Sequence, residues 1–241
     1  MTKTMNASNK RSLTRPCLAD KSYLQSAKKE GFGWVSGNWS GYALSGAKGA
    51  YRRICGEWTV PFIMRTPNST YSSAWIGIDG FQNSSLIQTG TGHECVGGVI
   101  RYYAWWEILP AEETVIGQPV YPGDRMRAVI VKLCKGKWSI SLRNLTRGWT
   151  FRTIRHYSGP QSSAEWIVEA PQVGGRASQL AWFSPVSFRR CRVNGKNPRL
   201  SPADGGIMIQ DRKAAAVPSS PSRSGDAFSV KRKLRTGCFP M

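Results

Sequence analysis

The residues with the clearest potential for chemistry are carboxyl and amide side chains on segments that are otherwise apolar and aromatic. Alternation puts Gln88 on one face of SLIQTG and Glu107 on one face of YYAWWEIL. It also puts Glu165 and Glu169 on one face of AEWIVEA. These faces, if they meet, form a concave wall of aromatic rings with a few polar groups.

A glutamate walled by Trp and Tyr rings has its pKa raised by desolvation, so it can take up a proton and later return it. A glutamine does not titrate, but its NH₂ group can donate to an oxyanion and its C=O group can orient water. A glutamate–glutamine pair can therefore hydrolyse an amide by direct attack of water, with no covalent intermediate.

The sequence has few of the residues that nucleophilic or metal-dependent catalysis requires. The chain has two histidines, His93 in TGTGHECVGG and His156 in RTIRHY, and neither lies in a nucleophile motif. We expect His93 in a Gly-rich loop and His156 at the surface. The six cysteines are scattered singly, without C-x-x-C or H-x-x-x-H spacing. The sequence therefore predicts no metal site and no cofactor.

The elements that must position these residues are strands. From Trp34 onward, segments rich in β-branched and aromatic residues recur every ~10–15 residues with turn residues between them, which predicts an all-β antiparallel sandwich. We expect residues 213–226 to form a mobile surface loop. The predicted strands are 37–44, 50–59, 72–79, 84–90, 99–109, 126–134, 137–144, 149–157, 164–170, 181–189, 206–212 and 227–233.

Composition divides the chain in two. Residues 1–33 are basic and aperiodic and are interpreted as an N-terminal extension, a leader or pro-segment remnant, before one domain at 34–241. Residues 1–33 contain no signal-peptide core, so the localisation is unassigned. No stretch reaches the ~18 apolar residues of a membrane helix, and we expect no membrane span.

The net charge is +20, from 34 Lys and Arg against 14 Asp and Glu. Such a charge attracts anionic partners. Because the basic residues are spread over both termini and many strands, we expect at most nonspecific binding to anionic polymers, not a primary nucleic-acid function.

Seven short runs, taken together, resemble the glutamic peptidase (eqolisin) family. They occur in that family's order and with comparable spacing, over about residues 37–233. The resemblance implies a concanavalin A-like (lectin/glucanase type) sandwich with its cleft on a concave sheet face, an exported protein, and acid-range activity on polypeptides by a monomer. The runs are NWSGYA, EWTVP, AWIGIDG, LIQTGT, YYAWWEILP, NLTRG and AEWIVE.

The resemblance also implies roles for individual residues. The catalytic glutamine of the LIQTG motif is Gln88, and the catalytic glutamate that ends AEWIVE is Glu169. Five further residues are implied to line or support the substrate cleft: Trp39, Trp75, Asp79, Trp105 and Glu107.

Two alternatives remain open at this level. One is a carbohydrate-binding sandwich or an inactive relative, because aromatic rings on a concave face also suit sugars. The other is a retaining glycosidase, which needs two carboxyl groups ~5–5.5 Å apart, as Glu107 and Glu169 would provide. Gln88 discriminates a peptidase from these alternatives, because a glycosidase has no obvious need for it, whereas the peptidase does.

Overall fold

A computed structural model of the protein describes residues 11–12 and 31–233, with side chains for 31–233. One turn of 3₁₀-helix, Pro202–Asp204, is the only helical element in these ranges. The strands are β1 (Arg11–Ser12), β2 (Trp34–Ser36), β3 (Trp39–Ser45), β4 (Arg53–Thr59), β5 (Thr70–Ile78), β6 (Ile87–Val96), β7 (Val99–Ile108), β8 (Thr114–Ile116), β9 (Arg125–Cys134), β10 (Lys137–Asn144), β11 (Thr150–His156), β12 (Ser163–Glu169), β13 (Gln172–Val173), β14 (Arg176–Ala177), β15 (Val186–Val193), β16 (Gly205–Gln210), β17 (Lys213–Pro218) and β18 (Phe228–Arg232).

Fifteen strands form one sheet that folds back on itself. Their order is β11-β10-β9-β4-β15-β18-β17-β16-β3-β12-β5-β6-β7-β8, all antiparallel, and β2 joins β16 in parallel. We call β4, β9, β10, β11 and β15 the first layer, and β3, β12, β5, β6 and β7 the second layer. Trp58 Nε1 of the first layer donates to Thr91 Oγ1 of the second at 3.0 Å, so the two layers face each other.

Period-2 alternation builds the core between the layers. In β10, Trp138, Ile140 and Leu142 are fully buried, whereas Lys137 and Arg143 at the ends of the other face are exposed. The even-numbered residues of β12 enter the same core, which leaves its odd-numbered residues, including both glutamates, for the outer face of the second layer.

The loop predicted at 213–226 is partly wrong. β17 is a strand that pairs with β16 and β18, and Ala216 to Pro218 are buried there. Alanine and proline have low strand propensity, so its interior place in the sheet stabilises this segment against its local preference. Most of the predicted extension 1–33 lies outside the described residues. Within that extension, strand β1 pairs with β13.

No helix in the described ranges is long and apolar enough to cross a lipid bilayer.

Candidate active site

Strand register arranges the outer face of the second layer in three rows of side chains. Six of the seven site residues predicted from the sequence lie on this face, which we call the cleft face. The first row is Ala43, Glu165, Gly77, Gln88 and Glu107, the second is Gly41, Ile167, Trp75, Gly90 and Trp105, and the third is Trp39, Glu169, Ser73, Gly92 and Tyr103.

Glycines make room for the aromatic rings of the cleft face. A Cβ added at Gly90 would come within 2.5 Å of Trp75 Cβ and even closer to the carbonyl oxygen of Ala74. A Cβ at Gly92 would overlap the Tyr103 ring. The Tyr103 ring therefore lies over β6 at Gly92, and Gly90 lets the β6 backbone approach β5 closely at Trp75, which explains the Gly-rich TGTG run.

Glu169 is fully buried and held at both oxygens. Its Oε2 accepts from Trp75 Nε1 at 2.9 Å, and its Oε1 accepts from Asn38 Nδ2 at 3.1 Å. Burial raises the pKa of Glu169 well above its ordinary value, and the charge of Glu107 acts in the same direction. The Trp39, Trp75 and Asn38 donors oppose this shift, because they stabilise the carboxylate.

Gln88 is oriented by Glu107, its direct neighbour on β7. Gln88 Nε2 donates to Glu107 Oε2 at 2.5 Å, and both side chains are fully buried. Gln88 Oε1 has no hydrogen-bond partner within the described residues. The ion–dipole contact fixes which end of the amide faces Glu107 and leaves the second N–H and the carbonyl for a ligand.

Aromatic side chains surround these polar groups. Trp39 and Trp75 pack edge to face with centroids 4.9 Å apart, and Trp105 lies in the same cluster. All three rings are fully buried. The indole N–H group of Trp105 has no acceptor in the part of the chain that the structure describes. The site thus combines a dry environment with an unused donor.

Asp79 is the one predicted site residue that lies away from the cleft face. It follows β5 with a left-handed φ of 69° and accepts hydrogen bonds at both oxygens. Its Oδ2 accepts from Tyr157 Oη at 2.6 Å and from Gln161 N at 2.7 Å, and its Oδ1 accepts from Ser162 N at 2.8 Å. Asp79 therefore braces the segment that leads into β12 and so supports the strand that carries Glu169.

The loop predicted around His93 is wrong, because His93 lies inside β6 with its side chain in the core. Its Nδ1 lies 3.1 Å from Ser72 Oγ and its Nε2 lies 2.9 Å from Thr91 Oγ1. Burial lowers the pKa of His93 to about 3. The ring is a neutral structural group on the face of the second layer opposite the cleft.

Sequence reasoning missed two residues beside Glu169. Asn38 donates to it and is itself oriented by Ser36, whose Oγ donates to Asn38 Oδ1 at 3.0 Å. Ser73 lies directly opposite Glu169 on β5, and its buried Oγ has no partner among the described residues. Alternation from Trp75 would have placed Ser73 on the cleft face. Asn38 has no such signal, because its contact spans 131 positions.

The described residues contain no group of three or more His, Cys, Asp or Glu side chains placed to hold a metal ion. The polar groups gathered on the cleft face are carboxyl, amide, indole and hydroxyl groups. They suit proton transfer and hydrogen bonding to a polar substrate.

Fold, site and sequence together define a glutamic-type peptidase. The chain belongs to the peptidase A4 family, whose family model matches residues 37–232. The resemblance seen in the sequence motifs is thereby confirmed.

Individual relatives agree with this assignment. Aspergillopepsin-2 of Aspergillus niger is 26% identical over 223 residues, which cover 81% of this chain and 77% of that protein. Scytalido-glutamic peptidase, solved with a transition state analog inhibitor, has a TM-score of 0.70 at 23% identity, covering 83% of this chain and 100% of that one. SCP-B, an eqolisin solved with the tripeptide Ala-Ile-His, has a TM-score of 0.65 at 23% identity with the same coverage. The two structures share the fold of this chain.

Proposed function

We propose that the protein is an endopeptidase in which Glu169 activates water and Gln88 stabilises the oxyanion. The observation that carries the proposal is the convergence of both side chains on one buried cleft face, with Glu107 bonded to Gln88 and acting on the pKa of Glu169. The peptide and transition-state-analogue ligands of the similar structures support a polypeptide substrate.

In the proposed reaction, the Glu169 carboxylate takes a proton from water as the water oxygen bonds to the scissile carbonyl carbon. The carbonyl π electrons move to oxygen, and Gln88 Nε2–H donates to the resulting oxyanion. Protonated Glu169 then gives its proton to the leaving nitrogen as the C–N bond breaks. The products are a carboxylic acid and an amine, and Glu169 is regenerated.

Glu107 and the aromatic residues take supporting parts in this proposal. Glu107 holds the Gln88 amide in the donating orientation, so no reorganisation is needed as charge develops. Trp39, Trp75 and Trp105 line the substrate cleft and exclude water. Asp79 supports the strand that carries Glu169. We further propose that residues 34–241 form the peptidase domain, that its sandwich is of the concanavalin A-like type, and that it acts as a monomer.

The pH range follows from the two states that Glu169 must adopt. It must be ionised to accept the proton of water and protonated to donate to the leaving nitrogen. Because its pKa is raised, the rising limb of activity lies above the ordinary glutamate value of about 4.3. We therefore propose a mildly acidic optimum, at the upper end of the acid range expected from the resemblance.

The oxyanion role is tested with Gln88→Glu, which keeps the size of the side chain but loses the donor when ionised. We expect kcat for a peptide substrate to fall about 10²–10³-fold with little change in KM. Gln118→Glu, at an exposed position, is the matched control and should retain wild-type kcat. Full activity in Gln88→Glu would show that Gln88 does not serve as the oxyanion donor.

A further inference from the structure

The charge of this protein is divided between its two layers. The strands of the first layer carry eleven Lys or Arg residues and one acidic residue, Glu57. The strands of the second layer carry one arginine, Arg101, and four glutamates. Among the strands of the two layers, basic residues therefore belong almost entirely to the layer opposite the cleft face.

The outer surface of the first layer presents this charge as an ordered array, which we call the arginine face. Register places Arg143, Arg127, Glu57 and Arg189 side by side on β10, β9, β4 and β15. Neighbouring strands lie about 4.8 Å apart, so the row spans about 14 Å. Six arginines define the face: Arg53, Arg125, Arg127, Arg143, Arg189 and Arg190.

Glu57 organises the centre of the arginine face without neutralising it. Arg125, Arg127 and Arg190 each place a guanidinium nitrogen 3.6–3.7 Å from its carboxylate, yet their side chains remain 63%, 46% and 71% exposed. Each guanidinium has five N–H donors, whereas one carboxylate accepts about four hydrogen bonds. Most donors of the three arginines therefore remain available to an external anion.

We propose that the arginine face binds the phosphate backbone of double-stranded nucleic acid, independently of base sequence, and leaves the cleft face open. Arginine suits phosphate because its planar fork donates two parallel hydrogen bonds. Contacts to phosphate position a protein on a duplex but carry no sequence information. Phosphodiesters also keep their full charge throughout the acidic range proposed for the enzyme.

The strands of the arginine face lack exposed aromatic rings, and this favours a duplex over a single strand as its ligand. Proteins that bind single strands stack bases on exposed aromatic rings. Among the described residues, the exposed large hydrophobic side chains on first-layer strands are Leu133 and Ile154, which are aliphatic. The exposed rings of Phe62 and Tyr121 lie in loops outside these strands.

The test is fluorescence anisotropy of a labelled duplex of about 20 base pairs, titrated with the full-length protein at several salt concentrations. The variant is Arg53→Gln, Arg143→Gln and Arg189→Gln combined, which leaves the three ion pairs of Glu57 intact. The matched control combines Arg176→Gln, Arg212→Gln and Arg223→Gln, which removes the same charge from exposed positions elsewhere.

We expect wild type and control to bind with a steep salt dependence. Replacing three arginines of this face should weaken binding at least tenfold. It should also reduce the slope of log K against log salt concentration by up to about three. A saturating duplex should leave cleavage of a small neutral peptide unchanged, because the cleft lies on the opposite layer. Equal weakening by both triple variants would mean that the charge acts diffusely and would overturn the proposal. Absence of duplex binding, or binding of a sulfated polysaccharide in its place, would overturn it too.

Discussion

At the residue scale, the pKa of Glu169 is set by opposing influences. Burial and the charge of Glu107 favour its protonated form, whereas the N–H groups of Trp39, Trp75 and Asn38 favour the carboxylate. A general acid–base works best when neither form is overwhelmingly preferred at the working pH. The surroundings of Glu169, more than its residue type, thus set the pH at which the enzyme operates.

This balance predicts the effect of Glu107→Gln. The substitution keeps an oxygen that can accept from Gln88 Nε2 but removes the negative charge that raises the pKa of Glu169. We expect the rising limb of the kcat/KM profile to move to lower pH, as measured in buffers of constant ionic strength. An unchanged limb, or a shift to higher pH, would show that Glu107 does not act on Glu169 through charge.

At the element scale, the glycines in β6 are the main features that shape the site. Gly92 allows the Tyr103 ring to lie across this strand, and Gly90 allows the strand to approach the Cα and Cβ atoms of Trp75, whose indole donates to Glu169. Backbone geometry is therefore linked to the position of the catalytic carboxyl group through one indole ring.

Gly90→Ala tests that link. The added methyl group overlaps backbone and Cβ atoms that cannot easily move, so we expect a loss of about 1–3 kcal/mol in the free energy of unfolding. The displacement of Trp75 should also lower kcat. Gly117→Ala, where an added Cβ meets nothing within 4 Å, should change neither quantity. Chemical denaturation and peptide cleavage measure both, and a fully stable, fully active Gly90→Ala would refute the packing role.

Comparison of the predicted with the observed strands shows how far the sequence predicts this fold. Alternation located most of the long strands, and it placed Gln88, Glu107 and Glu169 on the face that they share. It failed in the Gly-rich end of β6, where glycine signals a loop locally but the space is filled by the Tyr103 ring and by the β5 backbone at Trp75. It also failed at β17, whose alanines are held in the sheet by β16 and β18. Such partners become neighbours only in the folded chain, as Asn38 and Glu169 do.

At the scale of the whole molecule, buried titratable groups make stability depend on pH in two opposite ways. The pKa values of Glu165 and Glu169 are raised by burial, so their stabilising contributions are complete below the unfolded value and are lost as the pH rises through the folded values. The pKa of His93 is lowered to about 3, so its contribution is present above about 6.5 and is lost as the pH falls toward 3. As the pH rises above about 4.3, the two glutamates therefore lose stability while His93 gains it up to about 6.5, so the two effects oppose each other there.

Glu165→Gln isolates one of these contributions. The side chain of Glu165 is fully buried, its pKa is raised by burial, and a glutamine cannot ionise there. We expect the variant to gain stability relative to wild type as the pH rises above about 4.3, by up to about 1.4 kcal/mol per pH unit until the folded pKa is passed. Thermal unfolding at pH values between about 4 and 8 measures the difference. A difference that does not change with pH would mean that Glu165 does not titrate as its burial implies.

The central claim, that Glu169 is the acid–base group of a peptidase, is tested most directly by cleavage of a denatured protein substrate. The assay compares wild type, Glu169→Gln and the exposed-site control Glu112→Gln from about pH 2 to pH 7, with a chelator present. We predict wild-type cleavage with a mildly acidic optimum, the same in Glu112→Gln, and a rate about 10²–10⁴-fold lower in Glu169→Gln at every pH. Wild-type cleavage rates in a folded Glu169→Gln variant would contradict the account.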